Sequence, residues 1–247
     1  AILIAGGNPL VLDNSKANLD QLNKNIFKNF NIKLDTYEVD ITKEIKIKKL
    51  ASQFKKNEII INGIINNAAV NPTSKNLNQI ETRVEKYSIN DWKNAIEVEL
   101  TGSFLMLKHF GFLMYKQGLG GVILNISSDL GLISPDQRLY RDINKSQIDQ
   151  KVKPISYSVS KAGIIGLTKY MATYWADKNI RCNVLCPGGV YTNEMTQDFL
   201  DRIVNLIPMG RMANVNEYQG TVIWAMSEAS SYLNGAVIPI DGGRSVW

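Results

Sequence analysis

The sequence of 247 residues predicts an α/β fold: one doubly wound domain, spanning the whole chain, with a parallel sheet covered by helices on both faces. Three observations predict it. Short β-rich runs alternate with longer helical runs. The β-rich runs are apolar at successive positions instead of every second one, so both of their faces are buried. No linker, repeat or low-complexity tract divides the chain, whose 45% hydrophobic and 21% charged residues suit a folded globular domain.

In chain order, Ala1–Ala5 (AILIA) reads as a buried strand ending at Gly6-Gly7, and Pro9–Asp13 (PLVLD) as a second. Ser15 is placed to cap a helix with apolar positions Leu19, Leu22, Ile26, Phe27 and Phe30. Ile32–Val39 reads as a strand with Asp40 at its end, and Thr42 as the cap of the next helix. That helix carries the densest cationic run, Lys43 to Lys56, interleaved with Ile45, Ile47, Leu50 and Phe54, which is the pattern of a solvated face on an amphipathic helix. Glu58–Ile65 reads as a strand followed by Asn66-Asn67-Ala68-Ala69. A long helix covers Asn90–Gln117, Gly121–Ser127 is a strand, Ile155–Lys178 a helix, and Ile180–Cys186 and Ala236–Ile240 are strands. The polar stretch Ser134–Lys153 is long for a connection in a compact domain and reads as a binding loop or a surface insertion.

One junction is physically awkward. Parallel neighbours need a crossover of about a dozen residues or more, yet the first two strand runs are separated by Gly6-Gly7-Asn8. Either they form a hairpin around Gly7-Asn8, or a glycine-rich turn and a helix are absent between these two residues. The parallel pattern downstream favours the second reading.

Composition excludes several classes. The net charge of +5 comes from scattered cations, so a nucleic-acid partner is not indicated. No run of about 20 apolar residues could cross a membrane, and no basic, apolar, small-residue leader is present, so a cytoplasmic location is expected. Cys182 and Cys186, four apart on one strand, are too distant to bridge. No Cys/His cluster suggests a metal, and the sole histidine, His109, lies in an apolar helix and reads as structural.

The chemistry concentrates at the predicted carboxyl ends of strands, where open α/β sheets bind ligands. Tyr157-Ser158-Val159-Ser160-Lys161 opens a helix, and residues four apart share a face. An ammonium beside a phenol favours the phenolate and makes it a usable acid/base. Ser127-Ser128 ends one strand, where a hydroxyl can bond a substrate oxygen. Asn67-Ala68-Ala69 ends another, with small residues that allow close approach to the backbone, and Pro187-Gly188-Gly189-Val190-Tyr191-Thr192 ends a third. Asp13, with Asn14 beside it, suits a ribose 2′-hydroxyl and repels a 2′-phosphate, which favours NAD over NADP.

From Pro9 to Trp247 the sequence resembles the short-chain dehydrogenase/reductase family, through NNAA (Asn66–Ala69), NISS with Gly131 three residues on, YSVSK (Tyr157–Lys161), PGGVYT, IPMGRM (Ile207–Met212) and DGG (Asp241–Gly243). The resemblance implies a Rossmann-type fold and hydride transfer between a nicotinamide and a secondary alcohol or ketone. It implies Tyr157 as acid/base, Ser128 as holder of the substrate oxygen, and Lys161 as partner of both Tyr157 and the nicotinamide ribose. Val190 and Thr192 would hold the carboxamide, with Pro187 and Gly188 beside them, and Asp40 and Ile41 would face adenine. Ala5-Gly6-Gly7 looks like the opening of the family's glycine motif, with Ala for the usual Thr.

Where the family commonly has Asn, this chain has Glu99. A carboxylate there would offset part of the Lys161 field on Tyr157, unless Glu99 points elsewhere. The Ser134–Lys153 segment falls between Ser128 and Tyr157 and would overhang the substrate. Its Asp136, Arg138, Tyr140, Arg141 and Asp142 suit a hydroxyl-rich or phosphorylated molecule, with Arg138 placed to bind an anion. SSDLGLISPDQRLY, with the ending GGRSVW, looks like bacterial reductases of flagellin glycosylation and nonulosonic-acid pathways. The family also implies a homo-oligomer, tetramer or dimer, with Met106, Phe110, Met114, Tyr170 and Trp175 at a two-fold interface or in the core. A non-catalytic binding protein on the same fold is the alternative reading.

Overall fold

Four parallel strands form the main sheet of the computed structural model, which describes residues 1–70 and 81–247. They are β3 (Gly63–Asn66), β4 (Gly121–Ile126), β5 (Ile180–Pro187) and β6 (Val237–Ile240), adjacent in that order. A separate parallel pair joins β1 (Val11–Asp13) to β2 (Thr36–Glu38). The helices are α1 (Lys16–Phe30), α2 (Glu44–Lys56), α3 (89–117), α4 (Ile155–Tyr174), α5 (Gln197–Val204) and α6 (Gln219–Met226). Ile47, Leu50 and Phe54 of α2 pack with Phe110 and Met114 of α3 and with Ile64 and Ile123 on one side of the sheet. Ala225 of α6 packs on Leu124 and Leu185 on the other. The predicted doubly wound α/β architecture is therefore observed.

The first predicted strand is not. Ala1–Gly7 closes into successive turns, with Ala5 N–H donating to Ala1 O (3.1 Å) and Gly7 N–H to Ile2 O (2.9 Å). The spacing explains this: only residues 6–10 separate the segment from β1, too few for a parallel crossover. The hairpin reading fails too, since among the described residues no backbone bond joins 1–7 to 8–13. Consequently no ladder connects β1 to β3, and Ile4 stays exposed.

Several strands are shorter than predicted because side chains take their backbone partners. Asn23 Oδ1 accepts the Leu34 N–H (2.8 Å), leaving only Thr36–Glu38 of the 32–39 run in the ladder. Gln117 accepts from Ile61 N–H and donates to Ile59 O, holding the 58–62 run outside β3. Ser15 caps α1 through the Asn18 N–H as predicted. Thr42 does not cap α2: its hydroxyl donates to Asp40 Oδ1 (2.7 Å), and Lys43 takes the cap position. Both cysteines are free and buried. His109 bonds Glu44 through its ring (3.1 Å), a structural role. Phe110, Met114 and Trp175 lie in the core, so for them the core reading holds, while Tyr170 is exposed.

Candidate active site

The end of β4 and the start of α4 meet at Tyr157. It lies in the first turn of α4, and Lys161 follows one turn later with its Nζ 5.6 Å from the phenol ring centroid. Ser128 lies just past β4 in extended conformation, and its Oγ accepts the Leu130 N–H. Below it, Ser127 Oγ donates to Lys161 O (2.7 Å), fastening the strand end to α4. The turn passes so close to that helix that a Cβ on Gly131 would stand 2.9 Å from the Lys161 carbonyl oxygen, which accounts for glycine three residues after Ser128. Deeper still, Asn66 of β3 donates to Asn125 of β4 (2.8 Å), which donates to Thr168 of α4 (2.9 Å). This buried, fully bonded chain fixes the register of the three elements under the site.

Glu99 does point into the site. It sits in a π-helical turn of α3 (Glu97–Thr101), a local widening that often marks functional positions. Its Oε2 is 3.1 Å from Lys161 Nζ and accepts the Ser160 hydroxyl (2.9 Å), with both ionic side chains almost wholly buried. Lys161 also donates to Ile126 O (3.3 Å). Tyr157 is held above the usual phenol range. Burial is the largest cause, opposed by the facing Ser128 hydroxyl and reinforced by the charges of Glu99 and Asp129.

The insert reaches this centre at its last residue, Lys153. Lys153 Nζ lies 3.9 Å from the Tyr157 ring centroid, and burial depresses its pKa to about 8. The insert and Arg202 also border a cleft of about 680 Å³ whose rim carries Arg141, Lys145 and Lys151. Arg138 is not aimed at the phenol: its guanidinium forks onto Asp136 and is largely exposed. Lys153, absent from the sequence-predicted set, ends the insert two residues before α4, where no helical spacing points to it. Asp129, next to Ser128, carried no signal either.

The cofactor-directed residues divide into two groups. Pro187-Gly188 is pinned to β6 by the Gly188 N–H to Ile240 O bond (2.8 Å), and Val190 bridges Ala213. A Cβ on Gly188 would stand 2.9 Å from Asp241 Cα, so the PGG and DGG segments require each other's glycines. Val190 is half-buried and Thr192 exposed beyond it, while Asn67, Ala68 and Ala69 are exposed after β3. On the smaller sheet, Asp13 Oδ1 accepts the Ser15 N–H (2.7 Å), leaving Oδ2 open beside exposed Asn14. Asp40 spends Oδ1 on Thr42, and Ile41 is half-buried against the position a Gly102 Cβ would take. These residues fit the nicotinamide and adenosine halves of a dinucleotide. The pyrophosphate between them is not provided for: Gly6 and Gly7 are exposed in a turn that opens no helix, and the first helix begins at Lys16.

Residues 3–245 match the profile of the family described as Enoyl-(Acyl carrier protein) reductase. The 3-oxoacyl-[acyl-carrier-protein] reductase FabG of Thermotoga maritima is 30% identical over 246 residues, covering 98% of this chain and 87% of that protein. Glucose 1-dehydrogenase 2 of Bacillus subtilis is 29% identical over 214 residues, covering 85% and 74%. A short-chain dehydrogenase of Leptospira borgpetersenii, solved with bound NAD+, superposes with a TM-score of 0.83 at 28% identity, covering 99% and 85%. The chain belongs to the short-chain dehydrogenase/reductase family and is an oxidoreductase of the class that acts on alcohols and ketones.

Proposed function

We propose that the protein interconverts a secondary alcohol and a ketone on a polar, sugar-type substrate, with NAD as partner, in bacterial surface-glycan or flagellin modification. The observation that carries the reading is the meeting of Ser128, Tyr157 and Lys161 at the carboxyl end of β4. In alcohol oxidation the substrate O–H proton passes to the Tyr157 phenolate, Ser128 holds the substrate oxygen, and Lys161 steadies the phenolate's charge. A nicotinamide supplies the hydride chemistry when bound. The sugar-type reading is supported by the cationic insert, by the likeness of 127–140 and the C-terminal segment to flagellin-modification reductases, and by the glucose dehydrogenase among the relatives. NAD is favoured over NADP by the half-buried carboxylate of Asp13. Exposed Phe104, Phe112, Tyr170 and Tyr174 on α3 and α4 support pairing of these helices across a two-fold axis.

We infer further that the working enzyme carries a glycine-rich turn and helix between Gly7 and Asn8, because the divided sheet and the missing pyrophosphate turn fall at that one junction. Protein purified from its native source is expected to exceed 27.6 kDa by that segment, and a mass of 27.6 kDa removes the inference. Fluorescence titration of that protein should show saturable NADH binding and weaker NADPH binding. No saturable binding of either overturns the nicotinamide reading. Turnover is then sought by NADH absorbance with nucleotide-linked and phosphorylated amino sugars.

Because Glu99 and burial hold Tyr157 high, alcohol oxidation should keep rising into the alkaline range as phenolate forms. Glu99→Asn removes a charge that disfavours phenolate, so the pH–rate midpoint should move to lower pH. An unmoved profile would show that Glu99 does not tune the phenol.

A further inference from the structure

We propose that Arg244, near the C-terminal end of the chain, is a positioning residue for Ser128 and acts through Asp129. The inference rests on the reading of Ser128 and Tyr157 given above. Ser128 Oγ donates to Asp129 Oδ1 (2.8 Å), the same oxygen accepts the Leu130 N–H (2.8 Å), and Arg244 Nη1 donates to Asp129 Oδ2 (2.7 Å). Ser128, Asp129 and Arg244 are 5, 2 and 8% exposed, so the chain of bonds is shielded from water. A hydroxyl has one proton and two lone pairs. With its proton committed to a carboxylate that Arg244 holds in place, and one lone pair taken by the Leu130 N–H, Ser128 presents its remaining lone pair to the site. It therefore meets a substrate hydroxyl as an acceptor, and the resting site is set for the alcohol.

The DGG segment explains how Arg244 arrives there. Gly242 and Gly243 both have positive φ (67° and 88°), and Asp241 binds the turn through Gly243 N–H (3.0 Å) and Ser245 N–H (2.9 Å). Cβ atoms on these glycines would stand 2.7 Å from Ile207 Cγ2 and 2.9 Å from Pro208 Cγ. The IPMGRM segment thus seats the turn, and the turn returns Arg244 to β4.

The test is the titration of Tyr157, read as tyrosinate absorbance of each protein minus its Tyr157→Phe counterpart. The groups facing this phenol are Ser128, Asp129, Glu99, Lys153, Lys161 and Tyr140, with Arg244 behind Asp129. Arg244→Met leaves the buried Asp129 charge uncompensated, which makes it a stronger acceptor that keeps the Ser128 proton away from the phenolate, and should raise the midpoint by about one pH unit. Asp129→Asn, which keeps the shape and folds if Arg244→Met does not, should lower it by a similar amount. Arg244→Lys should restore most of the wild-type value. In a Ser128→Ala background the Arg244→Met shift should shrink to about half or less, the signature of coupling. An equal shift in both backgrounds, or no shift from either Arg244→Met or Asp129→Asn, overturns the proposal. An activity assay separates the two levels: Tyr157→Phe inactive with Arg244→Met at full turnover sinks only this inference, whereas an active Tyr157→Phe sinks the acid–base reading beneath it.

Discussion

Tyr157→Phe is expected to lower kcat by about a thousandfold while leaving thermal stability close to that of the wild type. General acid–base groups contribute about 10²–10⁴-fold, and Tyr157 combines a mobile proton with contact to Ser128. The substitution removes a single oxygen. The ring keeps its place in α4 and its contact with Lys153, so packing is preserved. Binding of NADH should be little changed, which separates loss of chemistry from loss of the site. Retention of more than about a tenth of wild-type kcat would move the proton chemistry to another group.

Lys161→Met is expected to damage both activity and folding. The ammonium and Glu99 form an ion pair at 3.1 Å, with side chains 5 and 1% exposed. Removing one member of a buried pair leaves an uncompensated charge and costs about 3–5 kcal/mol. The Lys161→Met variant should therefore unfold at markedly lower denaturant. Adding Glu99→Gln removes the stranded charge, and the double variant should recover most of the stability but little of the activity. Chemical unfolding of the two single variants and the double variant measures this directly. Additive losses would mean that the two side chains do not function as a pair.

The same pair shows how far the residues alone could be read. Glu99 was visible as a carboxylate in an unusual place, but its direction was not. A π-helical turn, which no short motif announces, turns it toward Lys161. Arg138 illustrates the reverse. Its position in a polar insert suggested an anion site; it does line the cleft of the insert, but Asp136, two residues away, takes its guanidinium. Local competition of this kind depends on backbone direction, which composition does not specify. The first strand failed for a different reason: AILIA has the right residues for a buried strand, but the connection to β1 is too short for parallel pairing, and connection length overrides propensity.

By itself the sequence determined the α/β class, the helix that presents Tyr157 and Lys161, and the strand end that presents Ser128. These follow from short continuous apolar runs for the strands and from the 3.6-residue repeat of the helix, which are local properties of the chain. Only the tertiary structure decided that Asp129 takes the serine's proton, that Arg244 returns from 115 residues away to hold it, and that Lys153 covers the phenol. The Arg244 contact joins segments distant in the chain, and where Asp129 and Lys153 aim follows from how the strands order and the turns run, a choice made by packing the whole core at once.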